Sequence, residues 1–139
     1  MEQARNGKRL KVLLVEDDAA ITRTLNISLR SSGFDVTGAR SGEDALQMLE
    51  SRAFDAVVLD LGLPDGRGND VLERLQQGAF ADHPVWVIMS ALDKEEAIRQ
   101  YGPLNGPFLA KPFDPWDLVH MLKELLRQCD CWGQAKVYP

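Results

Sequence analysis

Ala56-Val57-Val58-Leu59-Asp60-Leu61-Gly62-Leu63-Pro64-Asp65-Gly66 runs an unbroken apolar stretch into a carboxylate and then a turn. A continuous apolar run of this length, closed by turn residues, reads as a strand buried on both faces, as in parallel sheets. A carboxylate at the end of such a strand is costly unless something uses it. Three more segments end in the same way. Val12-Leu13-Leu14-Val15 leads into Glu16-Asp17-Asp18, Val85-Trp86-Val87-Ile88-Met89 into Ser90, and Phe108-Leu109-Ala110 into Lys111-Pro112. If these strands are parallel neighbours, their carboxyl ends gather acids, a hydroxyl and an ammonium in one crevice. Open α/β sheets bind ligands there. Acids to hold a divalent cation, one acid to react, and a hydroxyl and a lysine to hold an anion make a phosphoryl-transfer set.

Helical patterns separate the strands. Ala20, Ile21, Leu25 and Leu29 recur at helical spacing up to Gly33, a natural helix-ending residue. Phe34–Thr37 is a short second strand. Ser41 is a good N-cap for a helix carrying Ala45, Leu46 and Leu49, with Asp44 in its first turn. The third strand covers Asp55–Leu59, and a third helix over Asn69–Gln77 turns Val71, Leu72 and Leu75 inward. Pro84 opens the fourth strand. A short helix over Asp93–Tyr101 is stopped by Gly102-Pro103. After the fifth strand, Phe108–Ala110, Asp114-Pro115 reads as an N-cap followed by proline at the first helical position. The last helix, Pro115–Gln128, carries Leu118, Val119, Leu122, Leu125 and Leu126. Strands alternating with helices over short connections predict an α/β fold: a doubly wound, five-stranded parallel sheet with helices on both faces.

The 139 residues, 45% hydrophobic, suffice for one substantial core. The predicted layout is an N-terminal arm over 1–9, one domain over 10–128 and a tail over 129–139. The net charge of −5 and pI near 5.0 argue against direct nucleic-acid binding. Arg5, Lys8, Arg9 and Lys11 read as a solvated arm. Cys129 and Cys131 are the only cysteines, too few for a zinc site of about four ligands, and read as reduced thiols of a cytoplasmic protein. No apolar run approaches the roughly 20 residues of a membrane helix, and the start lacks the apolar region of a signal peptide.

Four motifs in order make the chain resemble a response-regulator receiver domain of two-component signalling: Val-Glu-Asp-Asp at 15–18, Leu-Asp-Leu-Gly-Leu-Pro-Asp-Gly at 59–66, Met-Ser-Ala at 89–91 and Lys-Pro-Phe at 111–113. Each alone is weak, but their order and separation are specific. The resemblance implies a flavodoxin-like strand order of 2-1-3-4-5. It implies Asp60 as phosphoacceptor, and Glu16, Asp17, Asp60 and the Gly62 carbonyl as Mg²⁺ ligands. Ser90 becomes the hydroxyl that turns to the phosphoryl group, Lys111 the lysine that pairs with it, and Phe108 the switch aromatic. It implies a cis Lys111–Pro112 peptide. It also implies a sensor histidine kinase or histidine phosphotransfer protein as donor. An output partner or homodimer would form through the fourth helix, fifth strand and last helix. Chemistry would be limited to self-phosphotransfer and autodephosphorylation.

Taken singly, these residues have ordinary readings. Ser90 would be a strand-end hydroxyl, Lys111 a solvated lysine and Phe108 a fixed core aromatic. Asp18 reads as a helix cap, Asp65 and Gly66 as turn chemistry, and His83 and His120 as surface or packing residues. The chain departs from the usual receiver pattern in Gly102-Pro103-Leu104-Asn105-Gly106-Pro107, whose prolines shorten the fourth helix. A haloacid-dehalogenase-type phosphatase would need an aspartate where Gly62 stands. A flavin or nucleotide binder would not place Glu16-Asp17-Asp18 after its first strand. A non-phosphorylated receiver-like adaptor would normally have lost an acid, Ser90 or Lys111, and none is lost. With no effector region after the last helix, the chain reads as a stand-alone receiver or as the receiver part of a longer DNA-binding regulator.

Overall fold

The computed structural model describes residues 4–5 and 8–130, with side chains over 9–128. The thiols of Cys129 and Cys131 and most of the predicted tail lie outside the described residues. Five parallel strands form the sheet: β1 (Lys11–Val15), β2 (Asp35–Ala39), β3 (Ala56–Asp60), β4 (Val85–Ser90) and β5 (Phe108–Ala110). Their order is β2-β1-β3-β4-β5, the predicted one. The central β3 and β4 are buried along their whole length, which is why their sequences do not alternate. The described part of the N-terminal arm is a small antiparallel ladder, Ala4–Arg5 against Lys8–Arg9.

The helices are α1 (Ala19–Ser31), α2 (Gly42–Ser51), α3 (Gly68–Gln76), α4 (Lys94–Tyr101) and α5 (Pro115–Asp130). Their starts follow local capping chemistry. Asp18 accepts from the Ile21 N–H, Ser41 from Asp44, and Asp93 closes a reciprocal capping box with Glu96. Asp114 accepts from the Trp116 N–H at the start of α5. Gly102, at φ 91°, ends α4 after eight residues.

The sheet divides the apolar interior in two. Leu13, Val57, Leu59, Trp86 and Ile88 pack with α2, α3 and α4. Val12, Leu14, Val58, Val87 and Met89 pack with α1 and α5 through Leu25, Leu29, Leu118 and Leu122. Each such leucine truncated to alanine would cost about 2–5 kcal/mol. The approach to β5 is tied to the α2–α3–α4 side. The Trp86 indole donates to the Asn105 carbonyl at 2.9 Å, and the Ile88 N–H donates to the Pro107 carbonyl at 2.9 Å. Gly106, at φ 121°, lies so close that a Cβ there would come within 2.6 Å of Trp86 Nε1. Among the described residues no helix is long and apolar enough to cross a membrane.

Candidate functional site

The carboxyl ends of β1, β3, β4 and β5 meet as predicted, and each backbone hydrogen bond there fixes one functional side chain. The Glu16 N–H extends the ladder by donating to the Ala39 carbonyl at 3.0 Å. The Leu61 N–H donates to the Met89 carbonyl at 3.1 Å and so holds Asp60 at the rim. The Lys111 N–H donates to the Ser90 carbonyl at 2.8 Å. From that anchor the four-carbon lysine stem reaches over β4, and its ammonium bonds Glu16 Oε1 at 2.7 Å and Asp60 Oδ2 at 3.0 Å. The Lys111–Pro112 peptide is cis.

Glu16 and Asp60 are only 2% and 4% exposed. Their remaining oxygens are also satisfied: Glu16 Oε2 accepts from the Asp18 N–H at 3.1 Å, and Asp60 Oδ1 from the Gly62 N–H at 2.9 Å. Asp17 is half-buried beside them. Burial pushes the Glu16 carboxyl above its ordinary range, and the Asp60 charge adds to this. The Lys111 ammonium and the Asp18 amide pull the other way without cancelling the rise. Burial also works against the charge on Lys111, but its two carboxylate partners outweigh it and hold the proton above the ordinary lysine range.

Glu16, Asp17 and Asp60 each offer an oxygen within 4.8 Å of the other two. An octahedral Mg²⁺ with oxygens at about 2.0–2.1 Å places its ligands about 3–4 Å apart, so these carboxylates would draw together around the ion. An all-oxygen, acid-rich donor set on a partly exposed rim suits a hard cation that keeps several waters. The residues present therefore fit Mg²⁺.

The other predicted residues stand at the edge of this cluster. Ser90 is 3% exposed, and its Oγ accepts from the Leu92 N–H at 3.0 Å. Gly62 touches Asp60 through its amide. Phe108 pairs in register with Ile88 and packs, half-buried, with Leu92 and Tyr101 against the α2–α3–α4 core. His83 and His120 are exposed and stand outside the cluster. Asp18 caps α1, and its N–H also holds Glu16.

The sequence reading missed the reach of Asp65. Besides the local turn contact to the Arg67 N–H at 3.1 Å, its carboxylate accepts from Gly42 at 3.2 Å and Glu43 at 3.0 Å in the first turn of α2. It slightly loses hydration there, but those three amides lower its pKa. Gly42 and Gly68 were also missed as contact points. A Cβ on Gly42 would lie 2.6 Å from Arg67 Cβ, and one on Gly68 would lie 2.8 Å from the Leu61 carbonyl oxygen. The Asp65 and Gly42 contacts join segments more than twenty residues apart, which no local sequence pattern signals.

The family model described as the response regulator receiver domain matches residues 12–123. The chain is 28% identical over 128 residues to the cell cycle transcriptional regulator CtrA of Caulobacter vibrioides, covering 92% of this chain and 55% of CtrA. It thus spans about half the length of the curated relatives it matches. Among solved structures, a Francisella response regulator receiver domain superposes with a TM-score of 0.74 at 28% identity, covering 86% of this chain and 98% of that one. The receiver domain of a Pseudomonas aeruginosa sensor histidine kinase, with a magnesium ion coordinated in its active-site cleft, gives 0.72 at 25% identity over 85% and 98%.

Proposed function

The chain belongs to the response-regulator receiver family of two-component signalling, and from that premise we propose that Asp60 is its phosphoacceptor, served by Glu16, Asp17, Ser90 and Lys111. The observation that carries this is the convergence of Lys111 on both Glu16 and Asp60 from sequence separations of 95 and 51 residues. The donor is a phosphohistidine of a sensor kinase or phosphotransfer protein, and the chain acts in the cytoplasm.

In the transfer step an Asp60 carboxylate oxygen attacks the donor phosphorus. The new P–O bond forms as the P–N bond to the donor imidazole breaks, and the imidazole leaves with that electron pair. Asp17, Asp60 and the Gly62 carbonyl would hold a Mg²⁺ ion, with Glu16 in support through water, and the ion would supply charge neutralisation for the phosphoryl oxygens. Lys111 turns from its two carboxylate partners to a phosphoryl oxygen, so charge on the incoming group meets a positioned ammonium. Ser90 exchanges its contact with Leu92 for a phosphoryl oxygen and draws the following loop inward. Phe108 then moves further into the core, altering the face formed by α4, β5 and α5, where an output partner or second copy docks. Exposed Ile98 and Trp116 stand on α4 and α5.

The test is incubation with Mg²⁺ and acetyl phosphate, read by intact mass. One phosphoryl group is expected on the wild type and none on Asp60→Asn. Equal labelling of both would reject Asp60. No labelling of the wild type, by this donor or by a kinase, would favour a phosphorylation-independent adaptor.

A further inference from the structure

The loop between Asp60 and α3 is held at both ends, and between them Leu63 is buried in the α2–α3–α4 core while Pro64, Asp65 and Gly66 are exposed. Asp60 and Leu61 are fixed to β4, and Gly68 folds back onto the Asp60 and Leu61 carbonyls with no room for a side chain. Between them the Gly66 N–H closes a turn onto the Leu63 carbonyl. Leu63 seats this turn on the core, and the hydrogen-bonded link from the turn to α2 is the Asp65 carboxylate. Its Oδ1 accepts from Gly42 and Arg67, and its Oδ2 from Glu43. The first turn of α2 has N–H groups without helical partners. Asp65 takes two of them, while Ser41 takes Asp44. The α2 helix is itself seated by Ala45, Leu46 and Leu49. Bare Gly42 lets the backbone of Arg67 lie flush on it.

We propose that Asp65 is a positioning residue for the cation site: by staking the Gly62 loop to α2, it holds the Asp60 and Gly62 ligand atoms at metal-binding spacing. It touches neither metal nor phosphoryl group. The inference rests on the receiver reading, because it presumes that Gly62 and Asp60 serve the cation. An ordinary helix-capping role would affect stability alone. A positioning role would weaken Mg²⁺ affinity while every ligand remains in place.

The experiment is calorimetric titration of the whole chain with Mg²⁺, without phosphodonor, beside thermal melts in EDTA. Asp65→Ala is expected to raise the Mg²⁺ dissociation constant by about threefold to tenfold, below the roughly 10–100-fold cost of losing a group bonded directly to a ligand. Asp65→Asn keeps one accepting oxygen and should fall between Asp65→Ala and wild type. Gly42→Ala, which displaces Arg67 while leaving Asp65, should weaken binding in the same direction, and it serves if Asp65→Ala does not fold. The shortfall in acetyl phosphate labelling should narrow as Mg²⁺ is raised, the mark of a lost cation site rather than a lost nucleophile. Mg²⁺ titrations of the variants that overlay the wild type, with only the melting temperature lowered, would overturn the proposal. A wild type that binds no Mg²⁺ would instead overturn the metal reading beneath it.

Discussion

Replacing Lys111 with alanine should destabilise the protein in proportion to how strongly its acids depend on it. The Lys111 side chain is 17% exposed, and those of its partners Glu16 and Asp60 are 1% and 6% exposed. Removing one member of a buried ion pair typically costs about 3–5 kcal/mol, because the remaining charge is stranded. The rim is open to water at Asp17, which brings the cost to or just below the lower end of that range, about 2–3 kcal/mol at neutral pH. For a domain of this size that lowers Tm by about 6–12 °C.

Two conditions should close the gap. Glu16 already has a raised pKa, and without Lys111 it loses a hydrogen bond and a favourable charge, so the pKa rises further. An acid with a raised folded pKa is most favourable to the fold below its ordinary value of 4.5, and that contribution is lost as pH climbs through the folded value. The Tm difference should therefore shrink on acidification from neutral pH toward that value. Mg²⁺ should shrink it as well, since a cation replaces the missing ammonium. Ligand at a hundred times its dissociation constant stabilises by about 2.7 kcal/mol, and Lys111→Ala should bind more tightly than wild type. Scanning fluorimetry at neutral and acid pH, with Mg²⁺ or EDTA, measures all four corners. An equal Tm deficit in every condition would refute the claim that Lys111 works by offsetting the acids.

Asp17→Asn should weaken Mg²⁺ at least about tenfold and slow labelling by acetyl phosphate; unchanged calorimetric affinity would remove Asp17 from the ligand set. Gly106→Ala should cost about 1–3 kcal/mol from left-handed backbone strain and from the collision with Trp86. A thermal melt gives the loss, and the indole N–H resonance of Trp86 should shift as its bond to Asn105 breaks. A beryllofluoride phosphate mimic should alter amide exchange across residues 90–111. Phe108 has no hydroxyl to hold an outward state and is already half-buried, so the change should be smaller than in receivers with tyrosine there. Changes confined to the Asp60 loop would rule out a switch through Ser90 and Phe108.

The parallel sheet was legible because burial on both faces forces unbroken apolar runs, and Ala56–Leu59 and Val85–Met89 are unmistakable. Caps were legible at Asp18 and Ser41 because they act within three residues of themselves; Asp93, read as the first helical residue, is itself the cap of α4. Glu16, Asp17, Asp60 and Lys111 could be placed together once four strands were aligned at one edge. Strand ends were less exact. β2 runs to Ala39 rather than Thr37 because its ladder with β1 continues past the apolar pair that announced it. Asp65 looked like turn chemistry, and its Arg67 contact is that. Its hold on Gly42 and Glu43 depends on where α2 lands, which no spacing encodes. Trp86 was likewise a strand residue in the sequence, and only the fold shows its indole holding Asn105.

The divided interior has a consequence for how the protein can change. Among the described residues the buried side chains on the two faces form separate clusters, so well-separated substitutions on opposite sides should combine additively, within about 0.3–0.5 kcal/mol. Leu122 or Leu29 can be exchanged without reshaping the seat of Trp86, and Leu72 or Ile88 without disturbing α1 against α5. The two halves are free to drift separately, each under its own selective demand. The strand-end rim belongs to both, so the acids and the lysine are where independent variation stops.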